Sequence, residues 1–506
     1  LSSPITLAEF APLDSEQALK AITEYPNDRW RVFLHPNQSE SIQQNFNGPA
    51  RIYGGAGTGK TVVVVHRAKR FAAMCQGGEK ILVTTYGKTL THDIETRLKT
   101  LCSPEELEHI EVSTVDSQTY NLSRRYLHVN LRYSKSRNNS FGLEDAWKLA
   151  LAETGFKDAF TVDFCMAEWQ DVIQAQNIAS LDAYLAASRA GRGKVLQKNQ
   201  RQQFWTVTQS YVDICRKHSI MDADTAQNRL AGLLSKDHSF TYYTTVLIDE
   251  CQDLRLPALR LLRALAGPER PNDIFVSGDT RQRIYTPKLP FNMSGIRISG
   301  RSSPLKLNYR TTEEIYRFAM RLQDAITYDD GDGNKLEHDK AVCIFHGPQP
   351  KVLSFPDAAS EASSVVSRIR SLLNRNVDSR EICIMLRSQK LYNPFISELK
   401  RQDIAYLEVT SQQADEDTIP GIRLMSLHRG KGLEYSYVFL PCLQDGILPP
   451  KQDMDKAGTQ EEKDEIMLKE RNLLSVAITR AKREVFLSYS GKPSVLLASL
   501  QASDPV

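Results

Sequence analysis

No run of about 18 uncharged apolar residues occurs in the 506-residue chain, which excludes a membrane-spanning helix. The opening residues lack a basic start followed by a long apolar stretch, so no secretory signal is read. The chain opens at Leu1 rather than Met, which leaves an upstream segment open. Internal repeats and low-complexity tracts are absent, which argues against a solenoid or a disordered tail. None of the eight cysteines forms a CxxC pair or stands near a histidine at zinc spacing. Buried free thiols in a reducing cytosol are the expectation. An excess of one charge is also missing. Lysine and arginine number 64 against 61 acids, a net +3, so any surface for nucleic acid must be local. What remains, 41% apolar and 25% charged residues, is the composition of a globular protein. The length suggests about three domains.

Apolar runs alternate with helical patterns in two regions. Residues 50–53, 80–84 and 111–114 read as strands, as do 244–249 and 273–277. Between about 121 and 234 the pattern is mostly helical, with tryptophans at 147, 169 and 205. Strands then recur at 351–354, 381–386, 421–426 and 437–441, with helices between. Strand–helix alternation predicts an α/β fold with parallel sheets. The predicted division is a first sheet domain over 1–120 and 236–318, split by a helical insert over 121–235, and a second over 319–506. The charged stretch 452–469 reads as a solvated helix or loop, and the Asp/Gly-rich stretch 328–340 as a turn-rich linker.

Residues 54–61 read GGAGTGKT, the spacing G-x-x-x-x-G-K-[ST] between a predicted strand and a predicted helix. Gly55, Gly57, Thr58 and Gly59 are expected to curl backbone N–H groups round phosphate oxygens, aided by the positive end of the following helix. Lys60 would reach the β and γ phosphates, and Thr61 would ligate Mg²⁺. The apolar run 246–248 ends in two acids. Asp249 suits Mg²⁺, and Glu250 suits a base that orients the attacking water. No NKxD guanine-reading motif is present, so ATP is the expected nucleotide.

Residues 249–253 read DECQD, which resembles the second motif of superfamily 1 helicases of the UvrD, Rep and PcrA type. Further segments resemble that family's motifs in order: 83–90 (VTTYGKTL), 277–285 (SGDTRQRIY), 307–310 (LNYR), 426–435 (SLHRGKGLEY) and 476–482 (VAITRAK). The resemblance runs from about Phe33 to Tyr489. It implies two RecA-like motor domains and ATP hydrolysis in the cleft between them, driving 3′-to-5′ movement on DNA. By the same resemblance Gln38 reads adenine, Tyr309 stacks on it and Glu434 contacts the ribose. Gln282 senses the γ-phosphate, while Arg310 and Arg480 contact it from the second half of the chain, where a planar guanidinium suits the spread charge. Thr85, Tyr86, Lys88, Thr114, Tyr285 and His428 are the implied contacts to nucleic acid.

Four positions depart from the family pattern: Val62, Asp116, Pro287 and Ser475 stand for its arginine, histidine, aromatic and tyrosine. The span from Arg310 to His428 leaves no room for the family's large regulatory subdomain, and the strand-splitting hairpin sought after 482 is expected to be truncated. Two acid-free basic stretches, Arg124 to Arg137 and Arg189 to Arg201, read either as phosphate contacts interleaved with stacking aromatics or as solvated helix faces over core aromatics. The expected partners are single-stranded or tailed duplex DNA. An RNA track is left open, as is an ATP-gated switch acting on a nuclease or another repair or defence protein. A membrane partner is not expected, and a cytoplasmic location is.

Overall fold

The computed structural model describes residues 36–132, 141–189, 195–237, 240, 242–279, 281, 291–323, 341–410, 415 and 418–501. The α/β fold class expected from the alternation is found. The first sheet comprises β1 (Ala50–Tyr53), β2 (Ile81–Thr85), β3 (Ile110–Thr114), β4 (Thr245–Ile248), β5 (Ile274–Gly278) and β6 (Ser302–Pro304). Their order across the sheet is β3-β2-β4-β5-β1-β6, and every pairing is parallel. The second comprises β7 (Lys351–Phe355), β8 (Ile382–Leu386), β9 (Tyr406–Glu408), β10 (Ile422–Ser426), β11 (Tyr435–Leu440) and β12 (Ala481–Ser490), in the order β7-β12-β11-β8-β10-β9, again parallel throughout.

Strands β6, β9 and β12 were not expected. β6 and β9 are too short to show a period. β12 begins within the sixth motif and lies inside the second sheet between β7 and β11. Its segment VFLSYS, within the stretch after 482 where the hairpin was sought, is part of a strand of the second sheet. The stretch 452–469 is helical, spanning Lys451–Lys456 and much of Gln460–Ile478, whose last turns are buried. The loop 328–340 lies outside the described residues.

Helix α1 (Lys60–Ala72) begins KTVVVV. Four successive valines are poor helix formers, because β-branching restricts χ1 against the preceding turn. Val62, Val63, Val64 and Val65 are all fully buried, so packing overrides propensity. β1, β2, β4 and β5 run parallel, so the loops 54–59, 86–87 and 249–253 and the turn after Gly278 leave at one edge of the sheet. In open parallel sheets that carboxyl edge is where ligands bind.

Residues 143–189 and 195–220 form a mostly helical body with its own core. Trp147 stacks on Tyr211 with ring centroids 3.8 Å apart and meets Trp169 edge-on at 6.1 Å. Phe204 completes the cluster and is fully buried. Two turns are π-helical, Ser123–Leu127 and Trp169–Gln174. No helix of the described residues is long and apolar enough to cross a membrane.

The insert core is built largely of close-packed aromatic rings, so truncating one is costly. Trp147→Ala is expected to destabilise this body by about 3–5 kcal/mol. Urea unfolding followed by far-ultraviolet circular dichroism should show its midpoint falling well below that of the unmodified chain.

Candidate active site

The loop 54–59 closes on itself. Gly57 and Gly59 both have left-handed backbone, φ 75° and 77°, which glycine adopts without strain. At Gly59 a Cβ would collide with the Tyr309 hydroxyl and the Gln38 amide, and at Gly57 with the Asn308 side chain. The glycines thus let residues 307–310 press against the loop. The Thr58 hydroxyl donates to the Gly55 carbonyl at 2.9 Å. Lys60 Nζ donates to the carbonyls of Gly54 and Gly55 at 2.9 and 3.0 Å, across the loop mouth.

Gln38 and Tyr309 meet at one end of the loop. Gln38 Nε2 donates to the Thr58 carbonyl at 2.8 Å, and the Tyr309 hydroxyl donates to Gln38 Oε1 at 3.2 Å. Gln38 sits on the helix Pro36–Gln43, whose C-terminal carbonyls accept from Arg67 and Arg70 of α1.

The acids lie at the other end. The Thr61 hydroxyl donates to Asp249 Oδ2 at 2.7 Å, and Ser277 Oγ on β5 donates to Asp249 Oδ1. Thr61 and Asp249, 188 positions apart in the chain, thus present hard oxygen donors side by side. Such donors suit a small divalent cation that keeps waters and phosphate oxygens in its shell. Glu250 has left-handed backbone, φ 52°, and accepts from Gln252 Nε2. Gln252 Oε1 in turn accepts from the Asp279 amide at 3.0 Å.

The second half of the chain supplies cations. Lys431 Nζ pairs with Asp253 Oδ2 at 2.5 Å, almost wholly buried. Arg310 Nη1 donates to Glu434 Oε1 at 2.6 Å. Arg480, buried, is steadied by its Nε on the Val476 carbonyl at 3.1 Å. These charges set the ionisation of the acids. Burial raises the Asp249 carboxyl, and the adjacent Glu250 raises it further. Burial pushes Glu250 the same way, but Lys431, Lys60 and Arg480 outweigh it and hold the carboxyl below its ordinary range. Burial also opposes ionisation of Glu434, yet Arg310, Arg97 and Arg480 pull it down to about 2.

Gln38, Gly55, Gly57, Thr58, Gly59, Lys60, Thr61, Asp249, Glu250, Tyr309, Arg310, Glu434 and Arg480 therefore line one cleft between the two sheets. Gln282 and Tyr285 lie outside the described residues. The expected nucleic-acid residues divide differently. Tyr86 and Lys88 present exposed side chains just past β2. Thr85 is fully buried in the strand, and the Thr114 hydroxyl accepts from the Ser117 amide as a helix cap. His428 is half-buried, and burial, with Arg387 adding to it, lowers its imidazole to about 4.

In the second basic stretch Arg189 and Arg201 are held within the insert, whereas Lys198 is exposed. Arg189 pairs with the fully buried Glu168, with Nη2 on Oε2 at 2.8 Å. Arg201 Nη1 donates to the carbonyls of Tyr184, Leu185 and Ala187. Its neighbour Phe204 is core. In the first stretch Arg124 and Arg125 are exposed, lying over the rings of Tyr120 and Tyr126. Tyr133, Lys135, Arg137, Arg192 and Lys194 lie outside the described residues.

Several contributors were not picked out from sequence. Ser277, Gln252 and Lys431 stand inside quoted motif segments and were legible there. Asp93 and Arg97, a buried pair at 2.7 Å on the helix Lys88–Leu101 that acts on Arg310 and Glu434, carried no sequence signal beyond i,i+4 spacing.

Comparisons with known proteins show the family of the chain. The family described as UvrD/REP helicase N-terminal domain matches residues 34–288, and the UvrD-like helicase C-terminal domain matches 304–414 and 407–492. A probable DNA helicase of Mycoplasma pneumoniae is 23% identical over 477 residues, covering 90% of this chain and 83% of that protein. The ATP-dependent DNA helicase UvrD2 of Mycobacterium tuberculosis is 22% identical over 549 residues, covering 88% and 77%. The ATP-dependent DNA helicase Rep of Buchnera aphidicola is 36% identical over 94 residues, 16% of this chain and 13% of that one.

The Arg310–Glu434 pair yields a pH test. Glu434→Gln leaves Arg310 buried without its counter-charge and is expected to cost about 3 kcal/mol near neutral pH. The folded carboxyl titrates at about 2 against an ordinary 4.5. Its contribution is therefore complete above pH 4.5 and lost as pH falls toward 2. The stability gap between the two proteins in guanidinium titrations should be flat above that window and narrow within it.

Proposed function

Because the chain belongs to the UvrD/Rep family of superfamily 1 DNA helicases, enzymes that hydrolyse ATP, we propose that it moves 3′ to 5′ along single-stranded DNA by closing and opening the cleft between its two sheets. The observation that carries this reading is the charge set round Glu250. Lys60 comes from the first sheet, and Lys431 and Arg480 from the second. The site is complete only when both halves are together, so nucleotide occupancy and domain closure are one event.

In this reading the loop amides and Lys60 hold the phosphates. Gln38 and Tyr309 hold the adenine, and Glu434 the ribose. Mg²⁺, held by Thr61 and Asp249, would neutralise phosphate charge. Glu250 accepts a hydrogen bond from the attacking water and orients it in line. Arg310 and Arg480 stabilise charge on the transferring group, and withdrawal of Arg480 after hydrolysis lets the halves part. Residues 1–120 and 236–318 make one motor domain round the insert 121–235, and 319–506 make the other. The strand crosses the exposed Tyr86 and Lys88, with Tyr285 and His428 lining its path. Gln282 reports the γ-phosphate.

A second reading is an ATP-gated subunit that switches a nuclease without opening duplexes itself. Its support is that the described residues between Arg310 and His428 supply strands and helices of the second sheet domain and no separate body.

Glu250→Gln is expected to lower DNA-stimulated ATP turnover by about 10²–10⁴-fold while nucleotide still binds. Strand displacement on short duplexes separates the readings. Opening of 3′-tailed duplexes alone supports the motor with the stated polarity. Opening of 5′-tailed duplexes alone would reverse the polarity. Failure on both, with DNA-stimulated hydrolysis intact, would favour the switch.

A further inference from the structure

The acidic segment 249–253 passes through Leu254 into Arg255, which precedes the helix Leu256–Ala266. Arg255 reaches into the helical insert. Its Nη2 donates to Asp171 Oδ1 at 2.9 Å, and its Nε lies 2.9 Å from Asp224 Oδ2. Asp171 belongs to the π-helical turn Trp169–Gln174, and Asp224 to the first turn of the helix Ala223–Leu234. A π-turn carries one residue more than the α ladder accommodates, and such turns recur at functional sites.

Arg260 grips the same turn. Its Nη1 donates to the Gln174 carbonyl at 3.2 Å and to Asn228 Oδ1 at 3.0 Å, and its Nη2 to the Ala175 carbonyl at 2.6 Å. The two arginines differ in what they can transmit. Arg260 holds neutral groups from the far side of the helix turn. Arg255 holds two carboxylates and stands two residues from Asp253, which pairs with Lys431 across the interdomain cleft. The Tyr86 phenol also lies within electrostatic reach of Asp253 and Arg255. Arg255 is thus the point where the insert, the exposed tyrosine loop and the acidic loop meet.

We propose that Arg255 is a positioning residue that couples engagement of the DNA strand to the placement of Glu250, by fixing the acidic loop against Asp171 and Asp224 of the insert. The proposal rests on the reading that the strand crosses Tyr86. Without Arg255 the acidic loop keeps its contacts to Lys431 and to the Asp279 amide, so hydrolysis in the absence of DNA persists. What is lost is the link through which a strand on the insert and the Tyr86 loop shifts that loop.

The test compares ATP hydrolysis by the full chain with and without a single-stranded oligothymidylate. Arg255→Ala is expected to lower the DNA-stimulated kcat about tenfold, with basal kcat and the KM for ATP within about twofold of the unmodified chain. Arg255→Lys, which keeps the charge, should recover most of the stimulation. Asp224→Asn keeps the shape and removes the charge, so it should show the same selective loss without depending on how Arg255→Ala folds. Arg260→Ala loosens the same interface but should retain stimulation. Equal losses of basal and stimulated rates in Arg255→Ala and Asp224→Asn, equal losses in the Arg255 and Arg260 variants, or no loss in any of them would overturn the coupling role. Absence of DNA stimulation in the unmodified chain would instead sink the motor reading on which the proposal stands.

Discussion

Two adjacent carboxylates, Asp249 and Glu250, are buried at the end of one strand, and the rest of the structure answers that constraint. An ionised carboxylate out of water costs several kcal/mol unless it is paired and hydrogen-bonded. The first sheet domain supplies part of the compensation through Lys60, Thr61 and Ser277. The remainder comes from Lys431 and Arg480, which belong to the other half of the chain. The carboxylate pair is therefore fully compensated only when the halves meet.

The same economy of charge extends along the seam. Arg310 and Glu434 neutralise each other, and Arg97 and Arg480 add to the field on Glu434. Lys431 meets Asp253 at the end of the acidic segment. Replacing any one partner leaves a buried charge behind, so these residues act as a set. This also explains why the glycines of the phosphate loop matter beyond the loop itself. Side chains at Gly57 and Gly59 would push away Asn308, Tyr309 and Gln38, and with them the chain that carries Arg310.

The two motor sheets were legible because buried parallel strands read as apolar runs at regular spacing, and the phosphate loop because its geometry demands glycine. Short edge strands such as Ser302–Pro304 and Tyr406–Glu408 left no comparable trace. The strand Ala481–Ser490 was obscured by its overlap with the last motif. The basic run ending at Arg201 misled in part, because charge in sequence does not say whether a guanidinium faces water or caps a neighbouring helix. Here Arg189 and Arg201 satisfy Glu168 and the carbonyls of Tyr184, Leu185 and Ala187.

By itself the sequence determined the residue types and local geometries that chemistry cannot do without: glycines at left-handed positions, a lysine and threonine after them, and two acids closing an apolar strand. Each depends on neighbours a few residues away, so each is written locally. Only the tertiary structure decided which charges compensate which. It paired Lys431 with Asp253 and Arg310 with Glu434, and it turned Arg255 toward Asp171 and Asp224. Those pairings join residues distant in the chain, and their energies depend on burial and separation, which no local pattern encodes.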